Sequence, residues 1–212
     1  YLSYLLKRYV FHESGTLVSG IIGGLYSSTA TISVLARKSR KASELEATDY
    51  VAAMLLAVSM MFLRFMILIL IFSREIFLSI YPYLLTMAVV AAIVAWFIHS
   101  RQKRPEDQSA ETEEDDSSNP LEFKVALIFA VLFVIFTFLT HYTLVYAGTG
   151  GLNLLSFVSG FSDITPFILN LLQNTGSVAA LIITACSMQA IISNIMVNMF
   201  YALFFAGKGS KL

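Results

Sequence analysis

Between Tyr142 and Lys208 the chain carries one formal charge, Asp163, and from Val51 to Phe72 it carries one, Arg64. Apolar runs of this kind, longer than about 18 residues, constrain a chain more than any motif. In hydrocarbon every backbone N–H and C=O must be satisfied within the protein, and a helix does this inside a single run. The fold class expected is therefore all-α, a polytopic transmembrane helix bundle of about six to seven spans. Composition points the same way: 57% of residues are hydrophobic and 13% charged, against about 25% charged in soluble domains.

Net charge is zero, so no bulk basic field exists to attract nucleic acid, which is not expected as a partner. The single cysteine, Cys186, cannot form an internal disulfide and reads as a packing residue. Tyr1–Phe11 is apolar but too short to span and lacks the pattern of a cleavable signal. It reads as the end of a helix that begins before Tyr1.

Six apolar segments follow, at about Thr16–Ala36, Val51–Phe72, Ile76–His99, Val125–Tyr146, Leu152–Leu172 and Ser177–Ala206. Each is long enough for a ~30 Å core at about 1.5 Å per residue. The loop 37–49 opens with four basic residues, and the loop 100–120 begins with Arg101, Lys103 and Arg104 before an acidic block. The positive-inside rule makes both cytoplasmic, in what is expected to be a prokaryotic cytoplasmic membrane, although Lys208 and Lys211 then emerge on the other face. The acidic block lacks apolar residues and reads as a linker; it has neither the alternating oxygen ligands nor the turn glycine of a calcium loop. The division expected is a first helical repeat with an extra span over 1–99, a charged linker over 100–120, and a second repeat over 121–212.

The repeat itself is weak. Gly15, Gly24 and Thr29 recur at a constant offset as Gly151, Gly160 and Thr165. Four apolar segments, the first copy's own included, run from the start of one copy to the start of the next, an even number, so the copies share an orientation unless one is re-entrant and flips the parity. Transporters use both repeat classes, with sites at the midplane on interrupted helices.

Arg64 and Asp163 each cost roughly 2.5–3.5 kcal/mol on insertion scales at a lipid-facing helix centre, so each is a candidate functional residue. Their opposite signs make mutual pairing the cheapest arrangement. Around them lie two polar clusters. In GIIGGLYSST, Gly20 and Gly24 are spaced for close helix packing, and Ser27, Ser28 and Thr29 follow. Either the hydroxyls bond back to their own helix, or the helix is locally unwound and they line a solvated cavity. In SGFSDITP, Pro166 removes a donor and clashes with the carbonyl of Ser162, so the helix should kink or break beside Asp163. A carboxylate next to a freed carbonyl, Ser162 and Thr165 suits a cation or a proton; the alternative is a structural ion pair with Arg64. Gly160 and Pro166 shape the packing there. Asn194 and Asn198, one turn apart, read as interhelical glue or as pore-lining dipoles.

Catalysis is not expected. No second intramembrane carboxylate makes a dyad with Asp163, and Ser27 and Ser28 have no nearby histidine base. His99 and His141 stand alone, without partners at metal-ligand spacing. No cofactor is implied.

GLYSSTATISVLARKSRK, from Gly24 to Lys41, resembles the Gly-x-x-Ser-Ser-Thr-Ala helix and basic Ala-Arg loop of a family of bacterial and archaeal membrane domains of unknown function. Members of that family often sit C-terminal to MgtC/SapB-type membrane domains. Met61-Phe-Leu-Arg64 is similar to its arginine helix, Gly160-Phe-Ser-Asp163 to its Gly-x-x-Asp motif, and Ser193-Asn194 to its Ser-Asn pair. Thr165 stands where the resemblance implies a second aspartate, and Asn198 where it implies a lysine. The resemblance implies membership and, by analogy only, a link to magnesium homeostasis.

The leading expectation is a transporter or channel-like protein for a small solute, a cation or proton. Asp163 would be its carboxylate, with Ser27, Ser28, Thr29, Ser162, Thr165 and Asn194 as supporting polar groups and Arg64 as counter-ion. The competing expectation is a non-transporting regulator or assembly subunit, acting through helix packing and its acidic linker. The bilayer is the first partner in either case, and a homo-oligomer or another membrane protein is the second.

Overall fold

The computed structural model describes residues 15–40, 42–101, 120–174 and 178–205. Tyr1–Phe11, most of the acidic linker, Lys208 and Lys211 lie outside the described residues. Among the described residues every regular element is a helix: α1 (Thr16–Ser39), α2 (Glu44–Phe72), α3 (Arg74–Ser100), α4 (Pro120–Ser159), α5 (Thr165–Gln173) and α6 (Ala180–Phe205). The fold class is the all-α transmembrane helix bundle expected from the apolar runs. Five helices, α1, α2, α3, α4 and α6, are long and apolar enough to cross a membrane. The fifth expected span, Leu152–Leu172, is not one helix. Its first part closes α4, its last part is the nine-residue α5, and the chain between them is not helical.

Local chemistry sets the boundaries. Ser43 and Glu46 form a reciprocal cap at the start of α2: the Ser43 N–H donates to Glu46 Oε2 at 2.9 Å, and the Glu46 N–H donates to Ser43 Oγ at 3.4 Å. Ser73 separates α2 from α3, and its Oγ accepts the Ile76 N–H at 3.4 Å. Pro166 lies in the first turn of α5, where its missing donor costs nothing.

Two compact units divide the chain. One holds the described residues of Tyr1–Ile67, Tyr81–Thr112 and Asn198–Leu212, and the other those of Leu68–Ile80 and Glu113–Val197.

In the first unit α1 is not straight. Ser27 has extended backbone (φ −154°, ψ 106°) and divides the helix into two arms. A Cβ placed on Gly23 would lie 2.5 Å from Thr31 Oγ1 and 3.2 Å from Thr31 Cβ. In a straight helix positions this far apart are separated by about 12 Å. The chain therefore doubles back at Ser27. The outgoing arm, from Thr16, advances together with α2, since Gly20 lies on Ala53 and Gly24 on Ala57. The returning arm packs Ile32, Leu35 and Ala36 against Ala53, Met54 and Ala57. An arm from Thr16 to Tyr26 reaches about 16 Å, half of a ~30 Å core. The α1 segment is thus a helical hairpin, although its length and hydropathy match a single crossing.

The second unit repeats the course. Gly148 takes a left-handed φ of +57° inside α4, a conformation for which glycine is the favoured residue. A Cβ on Gly151 would lie 2.7 Å from Thr143 Cγ2, so α4 also folds back there. The arm after Gly148 then advances together with α6: Cys186 Sγ lies 3.3 Å from Asn153 Oδ1, Ser193 Oγ donates to the Phe157 carbonyl at 2.7 Å, and Gly160 lies on Ser193 and Asn194. α5 packs against α4 before Gly148, through Phe167 on Phe136 and Asn170 Nδ2 donating to Thr137 Oγ1 at 2.8 Å. That places its residues beside the first part of α4 rather than beyond the break.

Candidate functional site

Each hairpin tip exposes the backbone groups that an unbroken helix would have paired, and each tip meets that cost with side chains. At the first tip Ser27 closes the start of the returning arm. Its Oγ accepts the Ala30 N–H at 3.4 Å, and its carbonyl accepts the Thr31 hydroxyl at 2.8 Å. The carbonyl end of the outgoing arm is met from α2: Arg64 Nη1 donates to the Tyr26 carbonyl at 2.6 Å. A cation on the carbonyl end of a helix is also favoured by the helix dipole. Ser28 is buried, and the Thr29 carbonyl accepts the Ser33 hydroxyl at 2.8 Å. The helix is broken at Ser27. Thr31 and Ser33 also bond back to their own arm.

At the second tip Asp163 Oδ1 accepts the Thr165 N–H at 3.0 Å and the Thr165 hydroxyl at 2.7 Å. The carboxylate therefore sits on the amino end of α5, where a negative charge is favoured. Ser162 Oγ donates to the Ser159 carbonyl at 3.2 Å. The freed carbonyls are met from α6: Asn194 Nδ2 donates to Gly160 O at 3.1 Å and Ser162 O at 3.3 Å. Asn194 is 2% exposed and Asp163 half-buried. The break beside Asp163 expected from Pro166 is present.

The residues singled out in the sequence thus fall into two groups. Gly20, Gly24, Ser27, Ser28, Thr29 and Arg64 belong to the first unit, and Gly160, Ser162, Asp163, Thr165, Pro166 and Asn194 to the second. Asn198 is buried. The three packing glycines do what their spacing suggests. A Cβ on Gly24 would lie 2.5 Å from the Ala57 Cα, one on Gly20 would overlap the Ala53 carbonyl, and one on Gly160 would lie 2.8 Å from the Asn194 nitrogen.

The offset that relates Gly24 to Gly160 also relates Ser27 to Asp163 and Ala57 to Ser193. Tip residue, tight glycine and the position receiving it are therefore equivalent in the two hairpins. The last helix of each repeat, α2 or α6, begins at the same relative place.

Sequence reasoning left His99 without a partner, whereas its Nδ1 lies 2.8 Å from Asp49 Oδ1. That contact joins the end of α3 to the first turns of α2. It also missed Ser59 Oγ, which donates to the Ala88 carbonyl at 2.9 Å between the same two helices. Neither contact leaves a local signature, because the partners lie far apart in the chain. Among the described residues no three His, Cys, Asp or Glu side chains come together as a metal site.

The chain belongs to the family described as a Domain of unknown function (DUF4010), whose model matches residues 1–206. It is also similar to an uncharacterized protein of Aquifex aeolicus (strain VF5), 26% identical over 208 residues, which are 95% of this chain and 87% of that protein. No solved structure matches.

Proposed function

We propose that this family member is an integral membrane transporter or channel-like protein for a small cation or proton, with Asp163 as its binding carboxylate. The observation that supports this most is Asp163 at a non-helical break in a helical hairpin. Broken backbone at membrane depth is tolerated where it is buried in protein or lines a water-filled cavity, and transporters place ion sites at such breaks. Ser162 and Thr165 are the neighbouring hydroxyls. Arg64 holds the tip of the first hairpin through the Tyr26 carbonyl. The proposed location is a prokaryotic cytoplasmic membrane with the loops 37–49 and 100–120 cytoplasmic. The His99–Asp49 contact supports a shared face for the ends of those loops.

The test is flux into proteoliposomes that contain the purified full chain, screened with protons, Na⁺, K⁺ and Mg²⁺. Flux is expected from the wild type and its loss from Asp163→Asn. Absence of flux from folded protein, or unimpaired flux in both Asp163→Asn and Arg64→Leu, would overturn the proposal.

A further inference from the structure

Four helix termini lie at one end of the first unit: the last turns of α1, α3 and α6 and the first turns of α2. Leu35 and Ala36 of α1 belong to a cluster on which Tyr50 of α2 and Phe205 of α6 also pack. α3 ends beside the same turns of α2, where His99 Nδ1 lies 2.8 Å from Asp49 Oδ1. Arg37, Lys38, Arg40 and Arg101 are therefore at one level, and all four are exposed. None of them makes an ion pair among the described residues. The carboxylates described at this level are already engaged, since Glu46 Oε2 accepts the Ser43 N–H and Asp49 meets His99. A basic excess faces outward.

Two of the guanidiniums are held in place by aromatic rings. Arg37 Cζ lies 4.7 Å from the centre of the Phe205 ring, and Arg101 Cζ lies 4.1 Å from that of Phe97. Stacking of this kind uses the face of the guanidinium and leaves its N–H edge free. Such an edge, with two parallel donors, fits two oxygens of a phosphate. Below this rim the surface is apolar: Phe97 is 51% and Trp96 74% exposed. Trp96 lies about 7 Å further into α3 than Arg101. Tryptophan just beneath a cationic rim suits the headgroup region of a bilayer, where one side is apolar and the other wet.

We propose that this end of the first unit binds the phosphate headgroups of anionic lipids, with Arg37 and Arg101 as stacked receptors and Lys38 and Arg40 adding positive charge. A lipid fits better than free phosphate, because its acyl chains meet the exposed rings while its phosphate meets the guanidiniums. A membrane surface is also flat, so it requires only that the four groups share a level. The proposal is independent of Asp163 and of transport.

The experiment is thermal unfolding of the purified full chain in neutral-detergent micelles, with phosphatidylglycerol or phosphatidylcholine added over a range of mole fractions. A lipid that binds the native state alone raises Tm with its amount. The expected result is a saturable rise with phosphatidylglycerol beyond that with phosphatidylcholine. Most of the difference should vanish between about 0.1 and 1 M NaCl, as the screening length falls from roughly 10 to 3 Å. Each basic residue near an anionic surface is worth about a fivefold preference, so Arg37→Gln/Arg40→Gln/Arg101→Gln should weaken the effect about a hundredfold. Arg37→Lys/Arg101→Lys, which keeps the charges and loses the planar edges, should retain part of it. Arg74→Gln, at the other end of α3, should behave as the wild type. Equal rises with the two lipids, a rise that salt leaves intact, or one that survives the glutamine variant would overturn the proposal. Sodium phosphate that reproduces the rise without anionic lipid would overturn the choice of a lipid. The salt series needs no variant, so it decides the matter even where a substitution unfolds the chain.

Discussion

The fold-back at Ser27 can be tested by one covalent bond. In a Cys186→Ala background, which removes the chain's only cysteine, Gly23 and Thr31 are both replaced by cysteine. An ideal Cβ on Gly23 lies 3.2 Å from the Thr31 Cβ. A disulfide needs a Cβ–Cβ distance of about 3.5–4.5 Å, so closure asks for an adjustment of only a few tenths of an ångström. Were α1 straight, the same positions would be about 12 Å apart and no disulfide could form. The predicted gap between the two cases is thus about 8 Å, far beyond side-chain play. The assay is mild oxidation in isolated membranes, alkylation of remaining thiols, and mass spectrometry of the linked peptides. Val18 and Tyr26, equally spaced but within the outgoing arm, form the control pair and should stay reduced. Closing so short a loop should also stabilise the protein by about 2–3 kcal/mol on the chain-entropy estimate, visible as a higher Tm of the oxidised form. A Gly23/Thr31 pair that stays reduced, or a control pair that links equally well, would refute the hairpin.

The hairpin also predicts that single cysteines placed at Gly15 and at Arg40 react with an impermeant thiol reagent from the same face of sealed vesicles; reaction from opposite faces would mean a straight crossing. Gly24→Ala should lower Tm, because its Cβ would meet the Ala57 Cα at 2.5 Å. The overpacking cost of about 1–3 kcal/mol exceeds the roughly 0.5–1 kcal/mol that alanine gains over glycine in a helix. Gly150→Ala, which meets nothing within 4 Å, should be neutral or stabilising, and equal melting of the two variants would contradict the tight contact.

How far the fold was legible follows from what hydropathy measures. A run of apolar residues reports that its backbone must be helical, and the helices are there. It does not report direction. Two half-length arms joined at Ser27 have the same composition as one helix that crosses, and no proline marks that turn. The break before α5 was legible because Pro166 forbids an uninterrupted helix. The fold-back at Gly148 was legible too, as the short connection between the apolar segments that end at Tyr146 and begin again at Leu152. At the site, the residue types were legible and their partners were not. Arg64 and Asn194 bond to backbone carbonyls, which every residue has and no sequence pattern displays.

Those carbonyl partners change the argument about the two intramembrane charges. On sequence alone, opposite signs in oily surroundings favour a pair, since neither charge has another visible partner. Within its own unit, however, each charge already lies on a helix end of complementary sign. Arg64 donates to the Tyr26 carbonyl at the negative end of an arm, and Asp163 accepts from Thr165 at the positive end of another. The cost of burial is therefore reduced locally, without any need for Arg64 and Asp163 to meet. The two local solutions are also chemically unequal. A guanidinium bonded to a main-chain carbonyl holds the chain in place and has no proton to exchange near neutral pH. A carboxylate can take up a proton, and the two bonds that Asp163 accepts among the described residues both fall on Oδ1. Because Ser27 occupies the place in the first hairpin that Asp163 occupies in the second, the repeat retains the broken helix in both copies. It places a carboxylate at the break in only one, and on the proposed reading the solute site belongs to the second tip.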